Sequence, residues 1–578
     1  MSLRSRDRVR SAVVGLTALA LVLRVADLGT RVAHWDEGRV AYWVLRYAET
    51  GDWAYRPIVH GPFVQHAARA SFALLGPSDF AARLPVALVG GLLPLVALLF
   101  RDWLDDREAV ALAGVLALNP LLLYFSRFFR SDVPLAAFML VALGCALRLH
   151  ATGRPRYLYA GAGALALGVA TKENALLYLL SWAGATACLG LLALALDAPV
   201  ARRERLARWR RRVSERPPSW VWSAHAALAL AVFLAVTVVM YAPRGGAAPV
   251  GLWTVFERPG ALPAVVGRAT LGSARRLVRT WVTGGLREHA YAPFLGHYLL
   301  VLVVGGLATV ALAGYGAWVV VRSRLRPGAC SAPGSRSVAL ASFGLLWGVA
   351  SVVGYPYVAD IRAPWLVVHA VVAFCFPAAV GLGALARRIE GARERADRRA
   401  LARLALICVL LGGQLAGVVV LTSYTHPPAR VNVVAQGAQP GGDLRPTLRR
   451  VERIAATSRG VDVLYYGRFA TRNESVNAEP PAGAGWYRRL PFGWYTAAYG
   501  ANVTNAREVS GMGPNPPPVV VAPGSARAEL AGELPGYAAF EYAHTRLRGA
   551  ATYRVLGYEY SYEGSTVVFF VDRDALAA

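Results

Sequence analysis

Long apolar runs recur from near the N-terminus to about residue 422, and arginine clusters separate them. A helix needs about 20 apolar residues to cross a hydrocarbon core of ~30 Å. In lipid the backbone must satisfy its own hydrogen bonds, so such runs fold as helices. Runs near 11–28, 82–100, 108–124, 133–149, 157–172, 175–196, 221–242, 296–321, 338–354, 363–386 and 404–422 reach or approach that length, which predicts about eleven spans. A content of 56% hydrophobic and 17% charged residues fits a polytopic membrane protein better than a soluble one.

The net charge of +27 looks like that of a nucleic-acid binder until it is located. From residue 425 onward 16 Arg stand against 13 Asp and Glu, so nearly all of the excess lies among the apolar runs. Positive-inside loops have this pattern, and it argues against a nucleic-acid partner. With a cytoplasmic N-terminus, the inner connections are 101–107, 148–156, 202–216, 322–336 and 387–403. Four are clearly basic; the first is mixed, with Asp102, Asp105 and Asp106. Arg4, Arg6, Arg8 and Arg10 precede an apolar run with no clear small-residue cleavage site, which reads as a retained signal anchor. The expected location is the plasma membrane, with many passes.

The remaining connections then face outward and carry the ionisable clusters. These are His34-Trp35-Asp36-Glu37, His60-Gly61-Pro62, residues 126–132 with Arg127, Arg130 and Asp132, Thr171-Lys172-Glu173-Asn174, and residues 355–362 with Tyr357, Asp360 and Arg362. Lys172 is the only lysine of the chain. The first outer loop, about 29–81, reads as holding two short helices, 39–49 and 62–75. The long outer connection 243–292 reads as holding an interfacial helix at 262–281, with Arg268, Arg275, Arg276 and Arg279.

From Thr425 the composition changes. Pro427-Pro428 and the stretch to Pro440 read as a linker, and 443–458 reads as an N-capped helix. Residues 461–466, 518–521 and 566–571 read as strands. The expected architecture is an all-α polytopic membrane domain, 1–424, followed by a small α/β extracytoplasmic domain, 425–578. That outer domain carries two N-glycosylation sequons, at Asn473 and Asn502. The five cysteines include no CxxC and no disulfide framework.

Each outer cluster has a structural and a chemical reading. Asp36 and Glu37 either cap the helix that follows, or one serves as general base while the other binds a cation or hydroxyl. Arg127 and Arg130 either anchor span ends at headgroups or bind a phosphate bidentately. Lys172 and Glu173 are a neutralising pair or a functional one. His60 is a structural histidine or a metal or phosphate ligand, and Arg362 is a phosphate ligand or the partner of Asp360. Carboxylates beside Arg and Lys at an outer membrane face suit one reaction: a sugar leaves a lipid phosphate and an acceptor attacks. No P-loop or dinucleotide fingerprint is present, so no nucleotide cofactor is expected.

Asp36-Glu37 in the first outer loop, the Arg/Asp loop after the third span and Lys172-Glu173 after the fifth resemble the GT-C superfamily of polyprenyl-phosphate-sugar glycosyltransferases. With Tyr55-Arg56-Pro57 and His60-Gly61-Pro62 added, the pattern is similar to an archaeal flippase-activity-associated family linked to protein N-glycosylation. The resemblance implies a GT-C fold and inverting transfer from a dolichyl- or polyprenyl-phosphate sugar to a glycan or protein acceptor. It implies Asp36 as base, with Glu37 assisting. Arg127, Arg130 and Lys172 would hold phosphate, with His60, Asp132, Glu173, Tyr357 and Arg362 around the substrate. A divalent ion, Mg or Mn, is optional, with Glu37 and His60 as its ligands. Other glycosylation proteins are possible partners. The alternative is a flippase, or a flippase partner without transferase activity.

Overall fold

The computed structural model describes residues 3–57, 60–196, 219–283, 290–324, 335–359, 361–425, 432–435, 437–477, 482–544, 551–555, 558–562 and 565–577. The 202–216 connection, most of the 322–336 connection, Asp360 and Pro427-Pro428 lie outside them. In chain order the first helices are α1 (Leu3–Val25), α2 (Trp35–Thr50), α3 (Pro62–Leu75), α4 (Asp79–Leu92), α5 (Asp106–Leu118), α6 (Pro120–Ser126), α7 (Asp132–Thr152), α8 (Arg156–Thr171) and α9 (Ala175–Leu196). Further long helices are Ser219–Tyr241, Tyr291–Arg324, Ser335–Val358, Val367–Glu394 and Arg398–Val419.

Every expected span falls on helix. Among the described residues eight helices are long and apolar enough to cross alone, and a ninth is the α5–α6 pair, bent by 48°. The bend falls at Asn119-Pro120, where proline cannot continue the ladder and the Asn119 side chain accepts from Leu122 N–H at 3.0 Å. The other two differ for physical reasons. α1 carries arginine at both ends, and the 16 residues of α8 reach only ~24 Å. Val367–Glu394 is the central helix: 89% of its apolar window is buried, against 6% for 398–425, which lies on the outside of the bundle. It crosses Tyr291–Arg324 at Gly316 and Gly381, where a Cβ on Gly381 would lie 3.0 Å from the Gly316 nitrogen. Only glycine permits that approach.

The bundle has two charged poles. At one, Arg148 meets Asp102 at 2.5 Å, Arg387 meets Asp105 at 2.6 Å and Arg107 meets Glu390 at 2.6 Å. Three connections assigned to the inner side therefore share one end, and the acidic residues of the mixed loop are partners for basic residues of the others. The other pole holds α2, α3 and the clusters assigned to the outer side.

The C-terminal domain packs on that second pole. Its sheet runs in the order β2-β1-β3-β7-β4. The strands are β1 (Val463–Tyr466), β2 (Val503–Ala506), β3 (Val519–Pro523), β4 (Tyr537–Ala543) and β7 (Thr566–Asp572), with a separate hairpin of β5 (Ala551–Val555) and β6 (Tyr558–Tyr562). β1 pairs parallel with β2 and β3, whereas β7 runs antiparallel to β3 and β4. All four residues of β1 and all five of β3 are buried, as their unbroken apolar runs require. The expected helix at 443–458 is present as Arg445–Thr457, although no side chain caps it. The segment around 438 is not a free linker: Trp35 N–H donates to Ala438 O at 3.4 Å, and Gln439 donates to Val32 O at 2.9 Å.

Candidate active site

Helix α2 begins earlier than the sequence suggests, at Trp35, and places Asp36 and Glu37 in its first turn. His34 is the N-cap. Its Nδ1 accepts from Asp36 N–H at 3.1 Å, and Glu37 Oε2 accepts from His34 N–H at 2.8 Å. This reciprocal cap fixes the two carboxylates in different directions.

Glu37 points into the protein. Arg83 holds it bidentately at 2.9 and 3.0 Å, Arg31 reaches it at 2.8 Å, and Phe129 N–H donates at 2.7 Å. Burial raises its carboxyl, but Arg31 and Arg83 outweigh burial and hold it well below the usual range. With both oxygens spent, Glu37 is a structural anchor joining α2, α4 and the 127–131 loop, neither assistant base nor metal ligand.

Asp36 points the other way. Its Oδ2 accepts from Arg130 at 2.9 Å and its Oδ1 from Arg39 at 3.2 Å. Burial pushes this carboxyl up, and Arg130 followed by Arg39 holds it well below the ordinary range, so it is an anion at neutral pH. Arg130 lies over the Trp365 ring, 3.4 Å from its centroid, and its Nε is 3.7 Å from Asp132 Oδ2. Asp132 Oδ1 accepts from Lys172 Nζ at 2.7 Å and meets His369 Nε2 at 3.2 Å. His369 Nδ1 in turn meets Tyr178 Oη at 2.8 Å, and its ring stacks on Tyr355 at 4.6 Å. One line of charge thus runs Asp36–Arg130–Asp132–Lys172, joining three segments far apart in sequence.

His60 joins through Ser131, whose hydroxyl is 2.9 Å from His60 Nδ1. Burial presses the His34 and His60 imidazoles down to about 3, so both are neutral. Five buried polar atoms here lack a hydrogen-bond partner: His34 Nε2, His60 Nε2, Arg130 Nε, Asp132 Oδ2 and Tyr355 Oη. Native interiors rarely leave such atoms unsatisfied without a functional reason. Glu173 stands beside this line: Tyr55 donates to it at 2.8 Å, and burial raises its carboxyl.

Three expected ligands are elsewhere. Arg127 donates to the carbonyls of Leu23 at 3.0 Å and Arg24 at 3.2 Å and lies over the Tyr424 ring, so it caps the C-terminal end of α1. Tyr357 is 63% exposed, with its ring against Tyr291, and Arg362 is also exposed; neither joins the ion-pair line. Glu37 and His60 do not fit a divalent ion. Arginines occupy the first, and no group of three His, Cys, Asp or Glu among the described residues is placed to hold a metal. Sequence reasoning assigned no role to Arg31, Arg39, Arg83, Trp365, Tyr178, Tyr355 or His369. His369 left a signal as an ionisable residue within the apolar run predicted at 363–386.

Comparison with known proteins agrees with this fold. Residues 59–194 match the family model "Dolichyl-phosphate-mannose-protein mannosyltransferase", and residues 444–572 match "Agl23 flippase-associated protein C-terminal domain". ArnT from Cupriavidus metallidurans superposes with a TM-score of 0.52 at 16% identity, covering 96% of this chain and 97% of that one. Its structure bound to undecaprenyl phosphate gives 0.52 at 17%, with the same coverage. The oligosaccharyltransferase of Archaeoglobus fulgidus gives 0.48 at 15%, covering 95% and 72%. A search of curated proteins finds no match. The mannosyltransferase match and the shared fold identify a multi-pass membrane glycosyltransferase with a GT-C fold. Within that class, this chain carries a C-terminal domain of the Agl23 flippase-associated type.

Proposed function

We propose that this protein transfers a sugar from a polyprenyl-phosphate donor, of the dolichyl type, to a glycan or protein acceptor at the outer membrane face. The Asp36–Arg130–Asp132–Lys172 line carries the reading. It sets a buried anion beside a buried guanidinium and an ammonium, among polar atoms that the protein leaves unsatisfied. At rest Arg130 neutralises Asp36. A donor phosphate competes for Arg130 and Lys172, and as it takes them the Asp36 carboxylate becomes the stronger base. Asp36 then accepts the proton of the acceptor O–H or N–H as that atom bonds to the anomeric carbon. The anomeric C–O bond breaks, and its electron pair leaves on the lipid phosphate, held by the two cations. Attack opposite the leaving group inverts the anomeric centre. Stabilising the developing phosphate charge is the larger contribution, and the base the smaller.

The positive-inside pattern of the connections supports a cytoplasmic N-terminus and an outer C-terminal domain, which we propose for the plasma membrane of an archaeal cell. The Agl23-type match supports a setting in protein N-glycosylation, with other proteins of that pathway as proposed partners. The test is transfer by the purified protein from defined polyprenyl-phosphate sugars, with a divalent ion and with EDTA. Transfer is expected in both, because no group of the described residues forms a metal site. Failure with every donor would overturn the reading.

The flippase-associated name of the 444–572 match favours a second reading, movement of the lipid-linked sugar across the bilayer. Arg24, a charge within α1, is sealed: it donates to Ala117 O at 2.9 Å and Leu116 O at 3.3 Å, closing the exposed carbonyls of α5. It therefore lines no polar path. A vesicle assay of donor flipping separates the two: flipping without transfer would support the second.

A further inference from the structure

The outer domain holds a cavity of about 720 Å³, away from the ion-pair line. Its walls come from the residues that follow β1, including Arg468, Thr471 and Arg472, and from Arg507, which follows β2. Arg488 closes it from the segment Ala484–Arg488. β1 lies between its two parallel neighbours, β2 on one side and β3 on the other. The chain therefore leaves β1 toward one side and returns from β2 to the other. The carboxyl end of such a strand is the switch point at which open α/β sheets hold ligands.

The charge there is one-signed. Four arginines line the cavity, and among the described residues no Asp or Glu does. Glu474, two residues after Arg472, is spent elsewhere. It accepts from Arg489 at 2.8 and 2.7 Å and from Asn505 at 2.7 Å. Arg472, Arg488 and Arg507 are exposed and form no ion pair with a described residue. Sets of arginines held this way are matched by planar or tetrahedral oxyanions, which accept paired N–H donors. The volume lies within the range of small-ligand sites, about 300–1,000 Å³.

We propose that this cavity binds an oxyanion group, carboxylate, sulfate or phosphate, on a small ligand such as an acidic sugar. The site is separate from the lipid-donor line and does not rest on the sugar-transfer reading. It is nonetheless mechanically connected to it. Tyr487, in the cavity's own wall segment, accepts from Trp35 Nε1 at 2.8 Å, and its ring stacks on Trp35. Trp35 is the residue before Asp36, so occupancy bears on the start of α2.

The test is titration calorimetry on the full-length purified protein at fixed ionic strength. Separate arms use sodium glucuronate, sulfate and phosphate, with glucose as the neutral control. Saturable binding of at least one anion is expected, with none for glucose, and the order of the three identifies the group. The paired change Arg472→Ala with Arg488→Ala should weaken binding at least about tenfold. Arg507→Glu should do the same with unchanged thermal unfolding, while Arg449→Ala, an exposed arginine outside the cavity, should leave binding intact. No saturable anion binding, equal binding of glucose, or binding unaffected by these changes would each overturn the proposal.

Discussion

Asp36 and Arg130 lie in one buried pair, and their substitutions should fail differently. Asp36→Asn keeps the side-chain shape and can still accept from Arg130, but it removes the proton acceptor. Loss of a positioned base costs roughly 10²–10⁴-fold in rate, so transfer should fall by that order while donor binding persists. Arg130→Ala should instead abolish donor binding, measured with labelled polyprenyl phosphate, because it removes the cation next to the vacant polar atoms. Equal loss of donor binding in both variants would contradict the division of roles. The buried imidazoles give a pH prediction. His34 and His60 are pressed to about 3 against an ordinary 6.5, so below 6.5 the unfolded chain takes up protons that the folded chain refuses. Stability is then complete above 6.5 and is lost as pH falls toward 3, by up to about 1.4 kcal/mol per unit for each ring. Thermal unfolding in detergent should drop from pH 7 to pH 5, and His60→Asn should flatten that slope. A slope the same in His60→Asn would refute it. Which arginine does what was not legible in sequence. Arg127 and Arg130 occupy one short loop, and only the position of the α1 carbonyls assigns the first to capping. Asp36 and Lys172 were legible, because orienting the spans put them on one side.

Helix α2 is the wedge between the membrane bundle and the outer domain. On one face Asp36 meets the 130–132 loop; on another Gly38 lies against Pro491. A Cβ on Gly38 would stand 2.7 Å from Pro491 Cβ and 2.9 Å from its Cα. Pro491 cannot yield as a flexible side chain would, so Gly38→Ala should push α2 off its seat at about 1–3 kcal/mol, the usual cost of overpacking. Because α2 carries Asp36, the same change should lower transfer as well as melting temperature. Gly51→Ala tests the other end of this helix. Gly51 has φ 73° and open space around it, so only backbone strain acts there, and melting should fall with little effect on transfer. If Gly38→Ala lost stability alone, the wedge would not be what aims Asp36. The spans were legible as apolar runs and the strands β1, β3 and β7 as short buried ones. The start of α2 was not, because histidine is an uncommon cap and the sequence alone gives no sign that Glu37 reaches back to His34 N–H.

The two poles of the molecule explain why a soluble-looking domain follows the membrane bundle. The C-terminal domain closes the outer pole. Asp79 at the start of α4 is buried and accepts from Trp494 Nε1 at 2.9 Å and Tyr495 Oη at 2.7 Å, and it also pairs with Arg445. Tyr495 Oη also accepts from Ala33 N–H at 2.6 Å, one residue before the His34 cap. Phe72 of α3 stacks on Trp494 at 5.6 Å, within one apolar cluster that continues through Val40 and Val44 of α2 to Val463 and Phe569 of the sheet. Such a joint behaves as a single core, since each large apolar side chain it buries is worth about 1.5–3 kcal/mol. The separate domain expected at 425–578 is therefore distinct in composition but not in packing. A chain ending at residue 425 should lose more than a recruiting module: Asp79 loses its buried donors and α2 loses the face that holds Trp35 and Gly38. It should melt at lower temperature, expose apolar surface to a hydrophobic dye and show no transfer, although every residue of the ion-pair line remains. If the shortened chain kept both its melting temperature and its transfer rate, the outer domain would act only on partners, and the support of Asp36 would have to come from the bundle alone.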